Sequence, residues 1–349
     1  MTSDCRMAPS GPGHPAPTHA YRVLVVTNLW PTEADPGYGS AIQAQMEALR
    51  PLGVDYDVLF VNGRESRMDY LRGIFEVRRR VATKRYDLVY AHFGLSGWVA
   101  RFQRRLPLVV KFMGDDVLGQ FDRRGRMTLM GHFYQASSIL LARSIEGAVV
   151  MSEEMKQKLR LEKAVIIPPG VNLELFRLFD RSEARRALGL DSGKQYVLFP
   201  YDPGEARKRF DLVQEAVRLA RPSVPELDIL QVAGVARQRM PLYFNAADVF
   251  VLASMWEGSP NAVKEAMAVN LPVISVDVGD VRELIGPTEG CHIIPRDAAA
   301  IAQKIVEVCR RDARTKGRER MAHWSLEGAA RRTLEVYDEA MATRRATPC

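Results

Sequence analysis

Glu257 and Glu265 bracket the segment Gly258-Ser259-Pro260-Asn261-Ala262, which follows the short, apolar, β-prone run Val249-Phe250-Val251-Leu252. That order predicts a buried strand, a polar loop over 258–261 and a helix over 262–269. The first N–H groups of a helix lack partners and the helix dipole is positive there, so this start suits a phosphate. Glu257 then faces one side of the ligand and Glu265 another. A second charged cluster, Arg207-Lys208-Arg209, stands just before a helix predicted over 210–220. Cations at a helix N-terminus are unfavourable unless an anion joins them, which again points to phosphate; a solvated run of charge is the plainer alternative. His92, Asp115 and Asp116 fall at predicted strand ends, where clefts are built. Local backbone contacts for His92 and helix capping by Asp115 or Asp116 are the alternatives. Two adjacent aspartates make a poor metal ligand set. Cys5, Cys291, Cys309 and Cys349 contain no Cys-x-x-Cys pair, so no metal and no disulfide framework are expected.

The elements that must position these groups alternate between strand and helix. Strands are predicted at 22–27, 57–61, 86–92, 108–112 and 147–152 in the first half, and at 196–200, 228–234, 249–252 and 291–295 in the second. Helices are predicted at 40–52, 138–146, 210–220, 240–247 and 297–309, with a terminal helix capped by Ser325. Such alternation predicts parallel sheets, and 349 residues suffice for two domains. The loop 28–39 is long and ends in Gly39, where backbone can approach a ligand closely or simply turn. Gly37-Tyr38-Gly39 has Ile42 in place of a third glycine, which excludes a dinucleotide-binding dehydrogenase. Residues 1–20, rich in Pro, Gly, His and Ala without an apolar core, read as a disordered leader rather than a signal peptide. No apolar run reaches the roughly 18–20 residues of a membrane span, and a cytoplasmic location is expected. The net charge of +7 raises anionic partners. Its densest region, 72–105, lacks interleaved aromatics or a helix-turn-helix, so nucleic acid is not expected, and peripheral membrane contact or solvated helix faces remain.

Trp256-Glu257-Gly258-Ser259-Pro260-Asn261, followed by Glu265-Ala266-Met267-Ala268 and Leu271-Pro272-Val273-Ile274, resembles the Glu-x7-Glu signature of the family 4 retaining glycosyltransferases. The resemblance runs from about Tyr21 to Met341. It implies an α/β GT-B architecture of two Rossmann-like domains facing across a cleft. An acceptor domain at 21–173 and a nucleotide-sugar domain at 174–328 are expected, with a C-terminal helix in 329–349 crossing back. It also implies metal-independent transfer from a nucleotide sugar, UDP-linked in the first instance, to a hydroxyl. Glu257, Lys208 and Arg207 are the implied catalytic groups. Gly39, Ser259, Pro260, Asn261, Ala262 and Glu265 are the implied donor contacts, Glu257 holding sugar hydroxyls and Glu265 ribose. His92, Asp115 and Asp116 are acceptor-side candidates. Met113 stands where relatives commonly carry a histidine, and Tyr201-Asp202 replaces a Gly-Arg pair. Arg207-Lys208-Arg209-Phe210-Asp211-Leu212 and Val276-Asp277-Val278-Gly279-Asp280-Val281 are similar to the teichuronic-acid-type branch, which builds envelope polysaccharide. A lipid-linked or a soluble natural-product acceptor fits, as does an epimerase or a catalytically silent binding protein of the same fold.

Overall fold

The computed structural model describes residues 21–35, 37–120 and 126–346; the expected leader, 1–20, lies outside them. The strands are β1 Tyr21–Thr27, β2 Val54–Phe60, β3 Leu88–His92, β4 Leu108–Lys111, β5 Gly147–Val150, β6 Val165–Ile166, β7 Gln195–Phe199, β8 Leu227–Gln231, β9 Val249–Leu252, β10 Val273–Ser275 and β11 His292–Ile293. They form a six-stranded sheet ordered β2-β1-β3-β4-β5-β6 and a five-stranded sheet ordered β11-β10-β9-β7-β8, with parallel pairing throughout. Parallel strands need crossover helices, which cover both faces. This explains why β3, β4, β5 and β9 are buried at every residue and read as continuous rather than alternating apolar runs.

In each sheet the order reverses beside the first strand of its half, and the loops at the carboxyl ends of neighbouring strands diverge there to open a crevice. The first half places the loops after β1, β3 and β4 at that edge; the second places those after β7, β8, β9 and β10. The chain passes between the halves twice. Val171 pairs with Ser325 in an isolated parallel bridge, with Val171 N–H donating to the Trp324 carbonyl and Leu326 N–H donating to the Val171 carbonyl, both at 2.9 Å. A Cβ on Gly170 would lie 2.4 Å from Leu326 Cα, so glycine is required where the two crossings touch.

The helix Leu326–Ala346 then returns to the first sheet. It buries Ala330, Val336, Tyr337 and Ala340 against Val23, Tyr90 and Val109. The Tyr337 ring stands edge-on to Tyr90 at 5.3 Å and to Tyr21 at 6.2 Å, and Tyr21 hydroxyl donates to Asp338. This is the two-domain GT-B arrangement, with the terminal helix on the N-terminal domain. The helix expected over 138–146 runs instead over Leu129–Ala142, with Thr128 accepting from Gly131 N–H at its start.

Candidate functional site

The segment after β9 is held from two sides. Arg296 donates to the carbonyls of Ser254 and Met255 at 3.0 and 3.1 Å, and Met255 N–H donates to the Arg207 carbonyl at 2.9 Å. The latter bond joins this loop to the one after β7. A 3₁₀ turn, Ala206–Lys208, then aims both cations inward. Lys208 Nζ reaches Glu257 Oε1 at 2.6 Å and Arg207 Nη1 reaches the same oxygen at 2.9 Å. Arg207 Nη1 also donates to the Trp256 carbonyl at 3.0 Å, and Lys208 Nζ lies 3.9 Å from the centroid of Tyr201.

The Glu257 side chain is only 10% exposed. Burial alone would raise its pKa, but Lys208 and Arg207 hold it below the ordinary value, so Glu257 is a carboxylate. Burial pulls Lys208 below its usual value, with Arg207 adding to the effect and Glu257 opposing it. Arg207 Nη2 also pairs with Glu205 Oε1 at 2.7 Å, so two carboxylates balance the two cations, and an anion that binds here takes over part of that pairing.

The helix Asn261–Ala268 begins beside this cluster, with Pro260 at its N-cap and no side-chain cap. Ser259 and Ala262 are buried, and Asn261 is partly open. The Ser259 hydroxyl is drawn away from the helix start, donating to Asp280 Oδ2 and accepting from Lys264 Nζ. The amides of Asn261 and Ala262 therefore receive no capping oxygen from the preceding side chains, the arrangement that favours an anion there. Glu265 lies one turn further on, with Arg237 Nη2 2.8 Å from its Oε1 and the Arg237 guanidinium over the ring of Phe176 at 5.4 Å.

The first domain meets this loop at two points. Trp256 Nε1 donates to Asp115 Oδ1 at 3.2 Å. A Cβ on Gly258 would lie 2.7 Å from Met151 Cε and 3.8 Å from Gly114 Cα. Asp115 thus stands where the halves meet, within electrostatic reach of Arg207.

Three other first-domain candidates have different positions from those expected. Asp116 is buried, its Oδ2 accepting from Gly94 N–H at 2.8 Å and its Oδ1 from Met113 and Gly114 N–H at 2.9 and 3.0 Å. It ties the loops after β3 and β4 together, and an acceptor contact is corrected to a backbone clamp. His92 is fully enclosed, its ring 4.4 Å from that of Tyr90 and neither nitrogen hydrogen-bonded. It therefore does not reach the cleft surface. Burial, with Lys111 adding to it, pushes its pKa down to about 3. His92 stays neutral in the folded chain and charges on unfolding below its ordinary value of 6.5. Its titration therefore costs the folded form nothing above pH 6.5 and lowers stability progressively as the pH falls from there towards 3. The pH–rate profile from 5 to 8 should be unchanged in His92→Gln.

Gly39 has φ of 75°, and a Cβ there would lie 2.4 Å from both Leu29 C and Trp30 N. Its missing side chain makes room for the chain's own backbone, rather than for a ligand. Gly39→Ala should cost at least about 1–2 kcal/mol from the left-handed conformation alone, read as a fall in Tm with and without nucleotide.

Arg237, Lys264 and Asp280 went unrecognised in the sequence. Arg237 opens the 3₁₀ turn Arg237–Arg239, and its pairing with Glu265 spans distant positions and leaves no local pattern. For Lys264 a signal existed: the helix around it, Asn-Ala-Val-Lys-Glu-Ala-Met-Ala, is apolar on more than one face, and a helix buried all round must bury its charged residues too. Every residue from Ala262 to Ala268 is indeed buried. Among the described residues, no group of three or more His, Cys, Asp or Glu is placed to hold a metal ion.

Residues 17–170 match a family model described as "Glycosyl transferase 4-like domain", and residues 206–311 match "Glycosyl transferases group 1". The putative teichuronic acid biosynthesis glycosyltransferase TuaC of Bacillus subtilis (strain 168) is 25% identical over 81% of this chain and 88% of its own length. The D-inositol 3-phosphate glycosyltransferase of Kineococcus radiotolerans is 27% identical over 79% of this chain and 77% of its own. Relatedness to both branches singles out neither. Among solved structures, sucrose-phosphate synthase from Thermosynechococcus elongatus has a TM-score of 0.73 at 19% identity, covering 93% of this chain and 100% of that one. Anabaena HepE, solved with UDP and glucose, has a TM-score of 0.67 at 15% identity, covering 91% and 99%.

Proposed function

Because the chain belongs to the family 4 glycosyltransferases, we propose that it moves a sugar with retention from a nucleoside diphosphate, in the first instance UDP, to a hydroxyl acceptor in envelope polysaccharide or glycoconjugate synthesis. The observation that carries this reading is the convergence of Lys208 and Arg207 on Glu257 Oε1 beside the uncapped helix start at Pro260. The donor's diphosphate enters between these cations and the amides of Asn261 and Ala262, which stabilise the charge that develops as the sugar–phosphate bond breaks. Glu257 receives sugar hydroxyls, and Glu265, held by Arg237, receives those of the ribose. Same-face attack, with the departing phosphate taking the acceptor proton, gives retention without a carboxylate nucleophile. HepE, solved with UDP and glucose, and the teichuronic acid relative support the donor and the pathway class.

The test is nucleoside diphosphate release from a panel of nucleotide sugars by the purified chain. Release from at least one donor, with or without added acceptor, is expected; no release and no binding across the panel refutes the reading. Glu265→Ala and Arg237→Ala should raise the donor KM about tenfold or more with little change in kcat, because they remove binding made equally in ground and transition states.

We further place the acceptor at the cytoplasmic face of a membrane. The basic region 72–105 includes most of the helix Met68–Thr83, which exposes Met68, Leu71 and Phe75 beside Arg72 and Arg79. Apolar and cationic side chains on one face suit an anionic lipid surface. Co-sedimentation with phosphatidylglycerol vesicles, lost in Phe75→Ser, is expected; equal recovery with neutral vesicles contradicts it.

A further inference from the structure

Beneath the loop that carries Glu257 lies a buried cluster of one ammonium, one hydroxyl and one carboxylate. Lys264 is fully buried, Ser259 and Asp280 nearly so. Lys264 Nζ donates to Ser259 Oγ, and Ser259 Oγ donates to Asp280 Oδ2. The ammonium thus connects to the carboxylate through one hydroxyl. Asp280 occupies the N-cap position of the helix Val281–Ile285 but makes no cap bond, and its Oδ1 is buried without a partner. A residue that forgoes a cap and leaves an oxygen unpaired in order to reach Ser259 is held by what that contact supports. Its neighbour Gly279, at φ 55°, lies flat on the loop: a Cβ there would stand 2.7 Å from the Gly258 carbonyl oxygen and 2.9 Å from that of Glu257.

We propose that Lys264, Ser259 and Asp280 form a buried brace that sets the loop Glu257–Pro260 and the first amides of its helix in register for a diphosphate. The three are positioning residues: the Ser259 hydroxyl, expected from the sequence to contact the donor, is instead taken up by Lys264 and Asp280. The proposal rests on the reading of this loop as the diphosphate seat. Lys264 fixes Ser259 from the helix side, and Asp280 fixes it from the loop after β10. The amides of Asn261 and Ala262 are thereby held without using Ser259 as their cap, which keeps them open to the anion. Losing one charge strands the other in the interior, whereas losing both does not. Fold stability and diphosphate affinity therefore respond differently to single and double substitution.

The experiment measures Tm and Kd for the full chain. The ligand is whichever of UDP, GDP, ADP and dTDP the wild type binds best, with the parent nucleoside as reference. Lys264→Met is expected to lower Tm and to weaken the diphosphate about tenfold or more, with the nucleoside changed less than about twofold. In Lys264→Met with Asp280→Asn, which removes both charges and keeps an acceptor for Ser259, Tm is expected to recover while diphosphate affinity does not. Ser259→Ala, which leaves both charges in place, reads the same bridge should Lys264→Met fail to fold, and is expected to weaken the diphosphate selectively. Unchanged diphosphate affinity in a folded variant, equal weakening of nucleoside and diphosphate, or affinity returning with Tm in the double variant overturns the brace alone. A wild-type chain that binds none of the four diphosphates overturns the functional reading and the brace with it.

Discussion

Lys208→Ala and Glu257→Ala should each lower kcat for nucleoside diphosphate release about 10²–10³-fold, the usual cost of removing one preorganised group that meets developing charge. The two losses have different causes, and Glu257→Gln separates them. Glu257 Oε1 is shared by Lys208 and Arg207, so in the free chain it is the counter-ion that a diphosphate must partly displace. Glutamine keeps a hydrogen-bonding oxygen but removes the charge. It should therefore tighten binding of the bare nucleoside diphosphate while kcat falls, because the sugar hydroxyls lose the carboxylate that receives them. Removing Lys208 has the reverse electrostatic effect: Glu257, held low chiefly by Lys208 against the rise due to burial, moves up and the diphosphate binds more weakly. Steady-state kcat and KM, with Kd for the diphosphate by calorimetry, distinguish the two patterns.

Asp116→Ala should destabilise the first domain by about 3 kcal/mol or more, since it orphans the N–H groups of Gly94, Met113 and Gly114 at roughly 1–3 kcal/mol each, partly offset where water enters. Asp116→Asn should cost less: the amide oxygen can still accept from Met113 and Gly114, but its NH₂ then faces the Gly94 donor. Thermal unfolding checks both. At a temperature where the variant is folded, its affinity for nucleoside diphosphate should match the wild type. An acceptor-binding role would instead raise the acceptor KM with Tm unchanged.

The parts that were legible in the sequence owe this to local physics. Buried parallel strands such as Val249–Leu252 are unbroken apolar runs, and Phe210–Ala220 carries its whole apolar stripe within one helix, so type and position were readable. The start of the helix Leu129–Ala142 is not legible in the sequence, because the helix exposes Leu129, Met130 and Phe133 and its apolar residues do not mark one buried face. The donor side was readable because Glu257, Lys208 and the helix start lie in short motifs. What closes the site was not: the pairing of Arg237 with Glu265, of Asp115 with Trp256 and of Asp280 with Ser259 joins loops from separate strands. Asp116 shows the same limit from the other side. Its neighbour Asp115 faces the second domain while Asp116 turns into backbone, and adjacency in sequence cannot tell which of two carboxylates does which.

The claim on which all else depends is that the cations at 207–208 and the helix start at 260–262 together hold a diphosphate. Calorimetric titration of the wild-type chain with a nucleoside diphosphate and with its parent nucleoside tests it most directly. The account predicts that the diphosphate binds at least about a hundredfold more tightly, a difference of about 2.7 kcal/mol, and that Lys208→Ala removes most of this advantage. Equal affinities for nucleoside and diphosphate, or an advantage that survives in Lys208→Ala, would contradict it.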